Sequence, residues 1–209
     1  MIKHILTTAL ALVVLASCGA TDRLAQLAMG QSATPEQADI TLVSAEEMLA
    51  NPGTYVRVNI RNQEAWASFT LVGQNGLRKT WIAPQNLSLT FENGIVVATR
   101  GLPRDLMGAE VSQVWDAIQR GGGTAQRQHD IITDQDGITT KLLQCSIASE
   151  GTESVTRGER EIPASRYKET CESETLIFTN IYWLNQQGNM IRSLQAVTPD
   201  AGYLQIDVF

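Results

Sequence analysis

The sequence predicts a mainly β protein: an antiparallel β-sandwich or a curved partial barrel of about eleven strands, with one amphipathic helix. Three observations lead there. After Thr54, apolar and polar residues alternate with a period of two through most of the chain. Asn-Gly and Asp-Gly pairs recur between the alternating runs, where tight hairpins form. Residues 111–118 alone break the alternation with a clear helical spacing of apolar side chains.

Taken in order, Ser44-Ala45-Glu46-Glu47 matches a capping box and predicts a short helix that Asn51-Pro52-Gly53 stops. Val56, Val58 and Ile60 alternate with Tyr55, Arg57, Asn59 and Arg61, the pattern of a half-buried strand. Asn75-Gly76, between residues 69–73 and 77–83, predicts a hairpin. Leu87, Leu89 and Phe91 alternate with Ser88, Thr90 and Glu92, and Asn93-Gly94 then leads into Ile95, Val97 and Thr99. That is the strongest hairpin signal in the chain. Val111, Val114, Trp115 and Ile118 line one face of the helix, which Gly121-Gly122-Gly123 ends. It is expected to pack over an open end or one face of the sheet. Asp136-Gly137, between 129–133 and 138–145, predicts a third hairpin. Strands at 175–184, 190–197 and 203–208 complete the domain, the first two joined by a Gln187-Gly188-Asn189 turn.

The N-terminus carries an address. Met1-Ile2-Lys3-His4 is a short basic start, and residues 5–15 are apolar apart from Thr7 and Thr8. Leu15-Ala16-Ser17-Cys18 then places small residues where a signal peptidase cuts. This tetrapeptide looks like the bacterial lipoprotein signal, in which Cys18 becomes the acylated first residue of the mature protein. The apolar run is well short of the ~20 residues a membrane span needs. Gly19, rather than Asp, follows the Cys, which in enterobacteria-like sorting resembles an outer-membrane address. The expected organisation is a signal peptide at 1–17, a lipidated tether at 18–39 interrupted by Pro35, and a single β-rich domain at 40–209. Acyl chains on Cys18 would hold it in the outer membrane, facing the periplasm.

Composition narrows the function classes. The chain has 209 residues, 43% hydrophobic and 18% charged, as a folded globular protein does. Its formal net charge of −6 gives no electrostatic case for nucleic acid as a partner, and an acidic glycan would need a local basic patch. Of the three Cys, lipid takes Cys18, leaving Cys145 and Cys171 as an even pair in an oxidising compartment. We expect them to form a disulfide that closes a polar segment rich in Glu, Ser, Thr and Arg. In the chain-entropy account such a loop contributes roughly 3 kcal/mol. One mature His and two distant Cys fall short of a four-ligand zinc site, so neither metal nor cofactor is expected.

Catalytic signatures are missing from the sequence. It contains no Gly-x-Ser-x-Gly elbow, phosphate-loop pattern or His-Glu-x-x-His. His129 reads as an exposed strand histidine, with Asp130 on the opposite face. Asp105, Glu110, Asp116, Asp130, Asp134 and Asp136 are available for paired-carboxylate chemistry, but nothing singles out two of them. Among the aromatics, Trp115 sits on the apolar helix face and reads as core. Trp66 lies on the polar register of its strand and is the better exposed platform. In Tyr182-Trp183 one ring faces each side of the sheet. Arg57, Arg61, Arg100 and Arg192 are cationic strand residues able to meet an anionic glycan.

Several stretches together resemble the YjbF/GfcB family of capsule and exopolysaccharide lipoproteins. In the N-terminal half, Asn93-Gly94-Ile95-Val96-Val97-Ala98-Thr99-Arg100-Gly101-Leu102, followed by Asp105-Leu106, is similar to the family's turn, strand and Thr-x-Gly-Leu run. In the C-terminal half, Asn180-Ile181-Tyr182, Gly188, Arg192-Ser193-Leu194-Gln195, Pro199 and Gly202-Tyr203 resemble its ending. Residues 126–170 match least clearly, so the disulfide rests on compartment logic. The resemblance implies an accessory protein of polysaccharide assembly or export, with no reaction to assign to named residues. Asn180, Ser193 and Gln195 could pair neighbouring strands or meet carbohydrate hydroxyls.

The reading is therefore a non-catalytic, lipid-anchored β-domain that contacts polysaccharide export machinery or the polysaccharide itself. Candidate contact residues are Trp66, Arg57, Arg61, Arg100, Trp183, Arg192 and Gln195. Two alternatives stay open. A periplasmic lipid or lipoprotein carrier would need a deep apolar cavity. A glycan-modifying hydrolase would need two carboxylates in one cleft at ~5–10 Å.

Overall fold

The computed structural model describes residues 42–209, so the signal peptide, Cys18 and the tether lie outside the described residues. Twelve strands form one antiparallel sheet: β1 Tyr55–Ile60, β2 Ala65–Asn75, β3 Arg78–Ala83, β4 Leu87–Glu92, β5 Ile95–Arg100, β6 Leu106–Glu110, β7 Gly122–Ile132, β8 Ile138–Arg157, β9 Arg160–Glu172, β10 Ile177–Leu184, β11 Met190–Ala196 and β12 Tyr203–Val208. Two helices of the described residues matter here, α1 Ala45–Ala50 and α2 Ser112–Gln119.

The sheet order explains its shape. β1 to β5 run outward from one side of the β1–β12 pair, and β11 back to β6 run outward from the other. The sequence neighbours β5 and β6 are thus the two sheet edges. A flat sheet of this size is roughly 50 Å wide at ~4.8 Å per strand, whereas the Gly101–Asp105 link spans at most about 22 Å. The sheet must curl, and it forms a nearly closed barrel. Side chains join the two edges. Thr99 Oγ1 accepts from the Leu106 N–H at 3.0 Å and donates to Asp105 Oδ1 at 2.7 Å. Asp105 also accepts from the Gly101 and Leu102 N–H groups, at 2.9 and 3.1 Å.

Local signals decide most elements. Ser44 Oγ accepts from the Glu47 N–H at 3.1 Å and starts α1, while the Glu47 carboxylate accepts from the Tyr55 hydroxyl instead of closing a full capping box. Asn93 and Gly94 both take positive φ, 53° and 85°, as the tight β4–β5 turn demands. Gly94 is required for a second reason. A Cβ there would lie 2.7 Å from Met190 Sδ and 2.9 Å from its Cβ, because the turn presses on the start of β11. Helix α2 buries Val114, Ala117 and Ile118, and Gly121 ends it at φ 86°. Contrary to expectation, Gly122 and Gly123 are already strand, opening β7.

The largest departure from the sequence reading is the segment around the disulfide. Rather than a polar loop, it is a long hairpin of β8 and β9, in which Cys145 faces Cys171 directly. The sulfurs are bonded at 2.02 Å and buried in the core. Beyond a register shift between Ser149 and Thr152, the hairpin continues with few apolar residues. There Val155 and Ala164 pack with Ile191 of β11 in a small separate cluster, against which Trp183 and Ile162 lie. Arg157 reaches over the Phe209 ring at 4.7 Å. Burial pushes its guanidinium pKa down to about 10, with Asp207 opposing and Arg192 adding to the shift. A polar hairpin that covers another strand's outer face needs only a few apolar anchors, so composition hides it.

Candidate functional site

Two places concentrate chemistry. The first is inside the barrel wall formed by β7, β9 and β10. Inward alternation on β7 places Arg127 and His129 in line with Ala125 and Ile131. On β10 it places Asn180 and Tyr182 between Phe178 and Leu184. Glu169 of β9 faces them, and all five polar side chains are buried. Arg127 Nη1 donates to Glu169 Oε2 at 3.0 Å, Tyr182 Oη donates to the same oxygen at 2.6 Å, and Asn180 Nδ2 donates to it at 2.7 Å. Asn180 Oδ1 accepts from the Ala196 N–H at 2.8 Å, which ties the cluster to β11.

Arg127 Nε donates to His129 Nε2 at 2.8 Å, so the ring is neutral with its proton on Nδ1. Nδ1 has no partner among the described residues, nor does Arg127 Nη2. Burial holds the His129 pKa well below its ordinary value, and the neighbouring Arg127 charge adds to this. Burial, then the Glu169 charge, push the Tyr182 hydroxyl well above its ordinary value. For Arg127 burial opposes the charged form, but Glu169 and Tyr182 more than offset it, and the net shift is upward. The cluster is a sealed ion pair with its hydrogen-bond partners, not an accessible acid and base. His129 is therefore buried and stacked on Phe178 at 5.5 Å, not exposed as its sequence context suggested. Asp130, which does point the other way, accepts from the Thr140 hydroxyl at 2.7 Å.

The second place is a cavity of about 440 Å³ where three turns meet α2. The β2–β3 hairpin contributes Gln74, Gly76 and Leu77, the β4–β5 turn Asn93 and Gly94, and the β10–β11 hairpin Asn189 and Met190. Trp81 and Phe91 form its wall, with ring centroids 6.3 Å apart, and Trp115 projects from α2. Trp115 is half-buried there rather than fully in the core. The Trp81 indole is buried, and its Nε1–H has no partner among the described residues. Among the described residues, Lys79 is the one titratable side chain in the lining, which holds no carboxylate or imidazole from them.

The contact residues singled out from sequence do not converge. Arg57 donates to the Val43 carbonyl at 3.1 Å and lies over Phe209, and Arg192 pairs with Asp207 at 2.5 Å. Arg100 donates to the Leu106 carbonyl at 3.3 Å, at the sheet edge. Trp183 is half-buried on the outer side, bonded to Glu153 and beneath Arg166. Trp66 is half-buried opposite Asn59, and Arg61 is exposed on the turn after β1. Gln195 is fully buried. Its amide donates to the Gly94 carbonyl at 2.8 Å and accepts from the Val96 N–H at 2.9 Å. Sequence reasoning missed the Trp81–Trp115 cavity because helical spacing read Trp115 as core and nothing in the sequence pairs it with Trp81. Only the meeting of distant turns leaves space between them.

Comparison with known proteins gives one family and one informative fold. A family model described as "Group 4 capsule polysaccharide lipoprotein gfcB, YjbF" matches residues 13–209. The crystal structure of the hypothetical lipoprotein YmcC from Escherichia coli (K12) is similar at 17% identity and a TM-score of 0.64. That similarity covers 74% of this chain and 84% of the other, and it shows a shared fold. No curated protein matches the chain.

Proposed function

The chain belongs to the YjbF family of group 4 capsule polysaccharide lipoproteins, and from that premise we propose that it is a non-catalytic accessory factor in capsule or exopolysaccharide assembly and export. Acylated Cys18 anchors it in the outer membrane, and the barrel faces the periplasm, where it meets the export machinery and the polysaccharide. Nucleic acid has no part in this reading, which calls for no cofactor.

One observation carries the non-catalytic reading. The strongly perturbed titratable groups are sealed inside the barrel, while the accessible cavity is lined by rings, amides and one Lys. Glycan chemistry needs an acid and a base, or two carboxylates, beside the scissile bond. A cavity without either suits binding.

The test is polysaccharide output from cells lacking the gene, complemented with the wild-type chain or with Cys18→Ala. Output restored by wild type and not by Cys18→Ala supports an anchored export role. Output unchanged by the deletion under inducing conditions removes the proposed function.

A further inference from the structure

We infer that the tip of the β2–β3 hairpin docks on the phospholipid surface of the membrane that anchors the chain, with Leu77 entering the headgroup layer. This rests on the anchoring reading above. Every residue from Val72 to Lys79 is exposed, so the hairpin projects from the barrel. Its two large apolar side chains are left bare, Val72 at 56% and Leu77 at 65% exposure. Gly73, Gln74, Asn75 and Gly76 lie between them, and Arg78 and Lys79 follow directly. The tip therefore carries no acidic residue. Arg78 pairs with Glu92 at 2.9 Å, and Lys79 forms no salt bridge among the described residues. This order of groups matches a lipid interface in depth. A strand rises ~3.3 Å per residue, which sets Lys79 about 7 Å behind Leu77. The apolar tip then reaches the acyl boundary while the ammonium stays with the phosphates.

The chain from the anchor arrives at this same end of the barrel. Gly53, just before β1, lines the same cavity as Leu77 and Lys79. Docking thus sets the mouth of that cavity beside the membrane. The opposite end also exposes apolar side chains, but next to carboxylates. Ile177, 71% exposed, faces Glu172 across the β9–β10 pair, and Ile138 follows Asp134 and Asp136 of the β7–β8 turn. An anionic lipid surface attracts Lys79 and repels those acids. Two apolar side chains and one ammonium bind a bilayer weakly on their own. Residues 19–41 link acylated Cys18 to the domain, so the hairpin meets the membrane as an intramolecular partner. At that raised effective concentration a weak contact suffices.

The experiment uses the acylated full-length chain in nanodiscs of phosphatidylethanolamine and phosphatidylglycerol. Cys18 is blocked by lipid and Cys145–Cys171 by their bond, so a thiol-reactive, environment-sensitive dye reads one introduced site. Asn75→Cys places it at the hairpin tip, and Ile177→Cys at the opposite end. With spin-labelled acyl chains in the nanodiscs, quenching at position 75 should exceed that at 177 by about threefold or more. Adding Leu77→Asp to Asn75→Cys should abolish the excess and leave the unfolding midpoint in place, because Leu77 is exposed in the folded protein. Lys79→Gln should lower the docked-to-free ratio about fivefold, and added salt should act in the same direction. Equal quenching at the two positions, or quenching at 75 unchanged by Leu77→Asp, would overturn the inference. A dye at 75 that stays in water while the chain remains on the nanodisc would leave the hairpin to a protein partner, with the anchoring reading intact. A chain that leaves the nanodiscs would remove the anchoring reading and the docking with it.

Discussion

Gln195 holds Val96 across the barrel: its side-chain oxygen accepts from the Val96 backbone N–H at 2.9 Å. Val96 lies on β5, an edge of the sheet, where a backbone donor has no neighbouring strand to bond. The same amide donates to the Gly94 carbonyl and to Ser193 Oγ, both at 2.8 Å. Gln195→Ala leaves a buried donor and acceptor unmatched, and is expected to cost about 2–4 kcal/mol by chemical denaturation. A cost near zero would mean that water replaces the amide without penalty.

Gly94→Ala is expected to be disproportionately damaging for one methyl group. It forces a side chain into left-handed backbone and into Met190 at once. We expect a loss of about 2–4 kcal/mol, partly relieved by Gly94→Ala combined with Met190→Ala. Additive losses in the double variant would locate the strain in the backbone alone.

The buried Arg127–Glu169 pair should punish single substitution more than joint replacement. Glu169→Ala leaves a buried guanidinium uncompensated, an expected loss of about 3–5 kcal/mol. Replacing both residues with apolar side chains of similar volume should recover much of it. Equal losses in the single and double variants would show that the pair contributes beyond its own neutralisation.

The fold was more legible than these contacts. Alternation and Asn93-Gly94 point to strands and turns because a strand's period and a left-handed turn are set by neighbouring residues. The β8–β9 hairpin escaped because its polar residues face water on a strand that covers other strands. Arg127 and Glu169 escaped for a related reason. A buried charge looks like a surface charge in sequence until the strand register turns it inward beside its partner. Trp81 and Trp115 were visible as aromatics, but the space between them belongs to tertiary structure.

Acid should weaken the domain through His129. Its folded pKa lies below the ordinary value of 6.5, so the unfolded chain binds the proton first as pH falls. Stability contributed by the neutral ring is therefore full above about pH 6.5 and declines below it, by at most about 1.4 kcal/mol per pH unit. His129→Gln should flatten this part of the stability–pH curve. A slope identical in the two proteins between about pH 5 and 7 would assign the acid sensitivity to other groups.

Reduction of Cys145–Cys171 should lower stability by about 3 kcal/mol, given a sequence separation of 26 residues. Unfolding with and without dithiothreitol measures it. An unchanged midpoint, with reduction verified by thiol labelling, would leave the hairpin register to the strands alone.

The most direct measurement is exported polysaccharide per molecule of folded lipoprotein, in deletion cells carrying wild type, Trp115→Ala or Glu169→Gln. The expected result is that Trp115→Ala lowers output at a normal protein level. Glu169→Gln, in the sealed cluster, should lower output only in proportion to the protein it loses. Full output from Trp115→Ala, in cells where wild type is required, would contradict a polysaccharide role acting through this cavity.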